Sequence, residues 1–156
     1  MPIDFSDSMA TALHYAVAFA REYHAAVTLL HVVKPDGVNG KRDILDPQLI
    51  RQLIGEMKEV HELRVHQLAN VLWGYEIVTD TVVAIGKPHL QIVNEAREMP
   101  ADLIIMASHG PVGHWGLFRG NTVAKVIRTA PSPVLVVDDL EKGFITNRFP
   151  EGCLGQ

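Results

Sequence analysis

The chain is expected to be an α/β protein: a five-stranded parallel sheet, doubly wound, with helices on both faces. Three observations lead there. Apolar runs alternate with helix-periodic segments in the order β-α-β-α-β-α-β-α-β, which implies parallel strands joined by right-handed crossovers. The runs are nearly unbroken, as in strands buried on both faces. A glycine-rich loop separates the fourth strand from the last helix, at the end of the sheet where this architecture places ligands.

The elements follow in order. Ile3 lies in a first strand confined to residues 1–4, although a strand averages about 5–6 residues and the first strand of such a sheet is usually central. Either the chain starts late, through a misassigned start, or the sheet is weakened there. Ser6, Asp7 and Ser8 offer N-caps for a helix to Tyr23, whose Leu13, Ala16, Val17, Ala20 and Tyr23 fall on one stripe. Val27-Thr28-Leu29-Leu30-His31-Val32-Val33 is rich in β-formers and reads as an interior strand. Breakers make 34–46 a loop. Pro47 starts a long helix to Leu72, with Ile50, Leu53, Ile54, Met57, Val60, Leu68 and Val71 as its inner face. Gly74 ends it, and 75–85 forms the third strand. Gly86-Lys87-Pro88 leads into a helix to Arg97. Leu103-Ile104-Ile105-Met106 is the fourth strand. Asn121-Thr122 caps a helix to Arg128, ended by Pro131 and Pro133, and Val134-Leu135-Val136-Val137 is the fifth strand.

Bulk properties narrow the function. A length of 156 residues suits one domain, placed at 1–137, with a polar tail at 138–156 whose Phe144, Ile145 and Phe149 can dock elsewhere. A net charge of -4, without a Lys/Arg cluster, argues against general nucleic-acid binding. The one cysteine, Cys153, rules out an intrachain disulfide and suits a reducing compartment. No apolar run approaches the ~20 residues that span a bilayer, and the N-terminus lacks the regions of a signal peptide. The expectation is a cytoplasmic protein.

The chemistry centres on the loop after Met106. Gly110, Gly113, Gly116 and Gly120 let the backbone approach a ligand, and free N–H groups at the following helix attract an anion. A flexible loop without ligand is the plain alternative. Asp4 meets a ligand, caps the first helix or stays solvated. His31, inside an apolar strand, reads as a core histidine. His61-Glu62 and His66 superficially resemble a zinc motif, but histidines five apart lie about 140° apart around a helix and cannot chelate together. His109 and His114 flank the loop, and Trp115, Leu117 and Phe118 offer a cover or partner surface. There is no G-x4-G-K-[ST] and no G-x-S-x-G. Ser108-His109 are neighbours without an orienting acid. No catalytic constellation emerges.

The chain resembles the universal stress protein family over nearly all of 2–137. Pro2-Ile3-Asp4-Phe5-Ser6 matches the family's first strand and Leu29-Leu30-His31-Val32-Val33 its second. Gly86-Lys87-Pro88 matches the turn after the third. The fourth strand and its loop are matched by Asp102-Leu103-Ile104-Ile105-Met106-Ala107-Ser108-His109-Gly110, and the last strand by Pro133-Val134-Leu135-Val136-Val137. Each match is weak alone, but five in order are specific. The resemblance implies a Rossmann-like fold of the adenine nucleotide alpha hydrolase-like type. In the nucleotide-binding branch the loop reads G-x2-G-x9-G-[ST]; here that register gives Ala107, Gly110, Gly120 and Asn121, so two of four positions match.

By the same resemblance, Asp4, flanked by Pro2, would contact the adenine–ribose part. Val32 would offer backbone groups to the adenine edge, and Met106 would line the base pocket. Ala107, Gly110, Gly120, Asn121 and Thr122 would surround ribose and phosphates. The implied ligand is ATP or AMP, with Mg2+ as an optional companion, and the implied assembly is a homodimer through Val134–Val137. The expected function is a nucleotide-dependent regulator of the stress response, in which ligand orders the loop 110–120. The alternatives are a nucleotide-free interaction module and a slow ATP hydrolase.

Overall fold

A computed structural model describes residues 1–34, 46–108 and 121–138. The loop 35–45, the glycine loop 109–120 and the tail 139–156, with every residue named on them above, lie outside the described residues. Among the described residues there are five strands, β1 (Pro2–Ile3), β2 (Val27–Val33), β3 (Thr79–Ile85), β4 (Ile104–Ala107) and β5 (Val134–Val137). The helices described between them are α1 (Asp7–Tyr23), α2 (Pro47–Trp73), α3 (Pro88–Glu98) and α4 (Asn121–Thr129).

Every strand pair is parallel. Ile3 lies opposite His31, Val27 to Val33 run opposite Thr79 to Ile85, and Ile104 to Ala107 run opposite Val134 to Val137. The pairing divides into two ladders, β1-β2-β3 and β4-β5. β1 lies beside β4 without a ladder between them among the described residues. This split is a consequence of β1's length. Its partners are all on β2: the Met1 carbonyl accepts from Leu30 N at 2.9 Å, and the Met1 ammonium donates to Thr28 O at 2.6 Å. Burial lowers that ammonium to a pKa of about 5. Both outer strands, β3 and β5, are paired on one side only among the described residues. β3 carries Thr79, Asp80 and Thr81, and β5 is wholly apolar.

The sheet is covered on both faces. On one, Leu13, Val17 and Ala20 of α1 and Val65, Ala69 and Leu72 of α2 pack on Leu29, Val33 and Val83. Next to them, Ala12, Tyr15 and Ala16 of α1 meet Ile105, Ala107 and Val137. On the other, Ile92 and Ala96 of α3 and Val123 and Val126 of α4 pack on Leu30, Val32, Ile104 and Met106. Alternate residues of β2 and β4 therefore enter opposite cores, as period-two side chains must. The doubly wound arrangement of five parallel strands agrees with the sequence reading.

Two expectations need correction. The third strand begins at Thr79, not at residue 75. After α2 the chain turns back through Tyr75 N to Leu72 O and Glu76 N to Trp73 O, with Glu76 at φ 61°. The reversal uses up residues that look strand-like. The inner face of α2 also departs from the sequence reading at one position. Val60 is 68 % exposed, whereas Met57, Leu68 and Val71 pack against the core as expected, beside the buried Val65, Ala69 and Leu72. A helix of 27 residues is about 40 Å long, whereas a seven-residue strand spans about 23 Å. The helix overruns the sheet, so its first turns extend past the core, which it meets from Met57 onward.

The corrected face has a measurable consequence. Leu72→Ala is expected to cost about 2–5 kcal/mol, whereas Val60→Ala should stay within about 0.5 kcal/mol of the parent. Urea unfolding followed by circular dichroism reads both.

Candidate functional site

Because all strands are parallel, their carboxyl ends lie along one edge of the sheet, where open α/β sheets bind ligands. Asp4 follows directly on β1. Its Oδ1 accepts from Ser6 N at 3.0 Å and from Ser6 Oγ at 2.6 Å. Ser6 is the N-cap of α1 yet makes no side-chain capping bond; its hydroxyl is turned onto Asp4 instead. Asp4 therefore orders the entry to α1 with one oxygen. The other, Oδ2, is buried and has no hydrogen-bond partner among the described residues. A buried carboxylate oxygen without a donor is costly. Oδ1 thus fixes the N-cap residue Ser6 rather than capping α1 itself, and Oδ2 is available.

The remaining site residues divide into three groups. Pro2 is buried in β1. Val32 is the residue after His31, where the β1–β2 ladder ends, so it lies level with Asp4. Its side chain is buried in the core beneath α3 and α4, so only its backbone faces along the strand edge. Met106 is fully buried in that same core. Ala107 ends β4, and its methyl group packs on Ala12, Tyr15 and Ala16 of α1. Ser108 N continues the β4–β5 pairing with a 2.8 Å bond to Val137 O. Asn121 is the first residue of α4, and Thr122 is half-buried in its first turn. Gly110 and Gly120 lie outside the described residues, as does the side chain of Asn121.

The histidines resolve differently. His31 is 4 % exposed, and its Nδ1 donates to Ile3 O at 3.0 Å, as a satisfied core histidine does. His61 and His66 turn to different neighbours, His61 stacking on His31 and His66 meeting Thr81 Oγ1 at 3.3 Å. Among the described residues no group of three His, Cys, Asp or Glu side chains can hold a metal ion. The sequence reading missed the His31–His61 contact. Its partners are thirty residues apart on different elements, and no spacing rule joins them. No described helix is long and apolar enough to cross a membrane.

Comparison with known proteins agrees with this architecture. Residues 1–138 match the model of the universal stress protein family. Universal stress protein MJ0531 of Methanocaldococcus jannaschii is 32 % identical, over 91 % of this chain and 82 % of its own. MJ0577 from the same organism is 30 % identical, over 87 % and 91 %. A solved structure of MJ0577 superposes with a TM-score of 0.75 at 26 % identity, covering 90 % of this chain and 94 % of that one. Two more distant structures share the fold. One is a universal stress protein in complex with cAMP, with a TM-score of 0.56 at 23 % identity, over 88 % and 93 %. The other, from Archaeoglobus fulgidus in complex with dAMP, has a TM-score of 0.57 at 20 % identity, over 86 % and 92 %. Adenine-nucleotide binding thus occurs among distant members of the family.

The local role of Asp4 can be measured without a ligand. Asp4→Ala removes both Ser6 contacts and is expected to lower stability by about 0.5–2 kcal/mol, while Asp4→Asn, which keeps an acceptor oxygen, should lose well under half of that. Urea midpoints of the two variants make the comparison.

Proposed function

The chain belongs to the universal stress protein family, and we propose that it binds an adenine nucleotide, ATP or AMP, at the carboxyl edge of its sheet. The observation that carries this reading is the divided Asp4 carboxylate, with Oδ1 held by Ser6 and Oδ2 buried without a donor. A nucleoside supplies suitable donors in a ribose hydroxyl or an adenine amino group. A phosphate would be repelled there, so the nucleoside end belongs at Asp4. The phosphates then belong toward the start of α4, where N–H groups and the helix dipole favour an anion. The cAMP and dAMP held by the two distant relatives support the ligand class.

In this reading Pro2 and Asp4 flank base and ribose, Val32 offers backbone groups, and Met106 backs the base. Ala107, Gly110, Gly120, Asn121 and Thr122 surround the ribose and phosphates. The packing of the Ala107 methyl under α1 fits a binding loop that tolerates this residue in place of glycine. Mg2+ would arrive only on the phosphates, and no side chain is assigned to it. The protein acts as a regulator in the cytoplasm, where ligand shifts its conformational population and so its choice of partner. The binding unit is the single domain 1–137, with 138–156 as a tail. A homodimer through Val134–Val137 would cover an apolar strand otherwise paired on one side.

The test starts from denatured, deproteinised samples of the purified protein, analysed for nucleotide by chromatography and mass. Emptied protein is then titrated calorimetrically with ATP and AMP. The expected result is stoichiometric adenine nucleotide or micromolar binding, abolished by Gly120→Val and weakened about tenfold or more by Asp4→Ala, the size of a lost charge-assisted hydrogen bond. Folded protein with neither nucleotide nor heat would overturn the reading and leave a nucleotide-free interaction module.

A further inference from the structure

A second cluster stands where α2 crosses β2, and the nucleotide reading makes no use of it. The His61 ring of α2 stacks on the His31 ring of β2, with centroids 4.6 Å apart and planes inclined by 24°. Phe5 packs against the same His31 ring at 4.9 Å. The Arg64 guanidinium, one helical turn after His61, lies 4.0 Å from the centre of the Phe5 ring. Phe5 itself sits at φ 59°, a region that bulky side chains avoid unless their surroundings hold them. The stack provides that hold, on the residue between Asp4 and Ser6.

We propose that His31 and His61 form an acid-sensitive latch, which clamps α2 to the end of β1 while both imidazoles are neutral and opens when either is protonated. The neutral state is built in. The Ile3 carbonyl can only accept, so His31 already carries its proton on Nδ1 and must take a second on Nε2. His61 Nδ1 is buried and has no hydrogen-bond partner among the described residues. A charged His61 would place an N–H there with nothing to receive it. Stacked rings at this distance cannot both be charged without strong repulsion.

The surrounding charges act in the same sense. α2 contributes the positive Arg64, β1 contributes Asp4 as the one carboxylate that favours a charged His31, and the β3 residue opposite His31 is Val83. α1 presents Leu13 and Val17 to this face. Burial is the leading cause that holds both imidazoles below the ordinary histidine value, and Arg64 adds to it. Since the docked state lowers these values, its contribution is complete above the unfolded histidine value, about 6.5, and is lost as pH falls below it.

The latch does not depend on a nucleotide, so its test uses the ligand-free protein. Hydrogen-exchange protection factors are measured by mass spectrometry at pH 7.5 and 5.5 for the wild type and for His61→Phe, which keeps the stack but puts a ring that cannot titrate on α2. The expected result in the wild type is a loss of about tenfold or more in protection over 47–73, the equivalent of one pKa unit. Protection over 88–98, on the opposite face of the sheet, should hold, and His61→Phe, which leaves His31 as the one titratable ring of the stack, should diminish the acid-induced loss. No loss in the wild type, an equal loss in 88–98, or an undiminished loss in His61→Phe would overturn the proposal. A nuclear magnetic resonance titration of the wild-type imidazoles gives an answer even where His61→Phe fails to fold. Titration of both rings below the ordinary value supports the latch, and titration of either at or above that value overturns it.

Discussion

Burying β2 on both faces and both edges is the constraint on which the other elements depend. Its Leu29 and Val33 require a cover on one side, which α1 and α2 supply, and its Leu30 and Val32 require another, which α3 and α4 complete. Its backbone is matched by β3 along seven residue pairs and by β1 along two. An interior strand satisfied in this way leaves no room for an unpartnered polar group. His31, the polar ring in its middle, is accordingly neutral, bonded to Ile3 and sandwiched between two other rings.

The same constraint sets up the ligand edge. Parallel strands deliver Asp4, Val32 and Ala107 to a common rim, and each arrives with its side chain differently committed. Val32 and Ala107 are anchored in opposite cores, so they can offer only backbone groups to a ligand. Asp4 is the exception, being half committed: Ser6 fixes one oxygen and thereby aims the other. Orientation by a neighbouring hydroxyl lowers the entropy that a ligand contact would otherwise have to overcome.

Much of the fold was legible in the sequence because its signals were local. The unbroken run at 27–33, the proline that opens α2, the Gly86-Lys87-Pro88 turn and the closing apolar run all mark elements that exist where expected. The misreadings have distinct causes. Residues 75–78 look strand-like, but the reversal after α2 needs them, and nothing local signals that Glu76 adopts a left-handed conformation. Val60 fits the apolar periodicity, but the packed line of the helix runs through Met57, His61 and Val65, which turns Val60 to solvent. The division of the sheet follows from the shortness of β1, which the sequence reading had noticed. At the candidate site, Asp4 was identified, but the sharing of its two oxygens depends on the Ser6 rotamer, which no motif encodes. The stacking of His61 on His31 is a tertiary meeting with no sequence signature at all.

The two margins of the sheet are unequal. On β3, Thr79, Asp80 and Thr81 interrupt the apolar run, and an acidic side chain at an edge discourages another strand from adding there. On β5 all four residues are apolar, and nothing of that kind is present. Strand addition between copies of this chain would therefore have, of the two outer strands described, β5 as the permissive one. Were two such margins to meet about a twofold axis, neither copy would have a second of this kind among the described residues to extend the array. In the proposed homodimer, the polar residues of β3 would thus confine edge-to-edge association to a pair and keep it from growing into a filament.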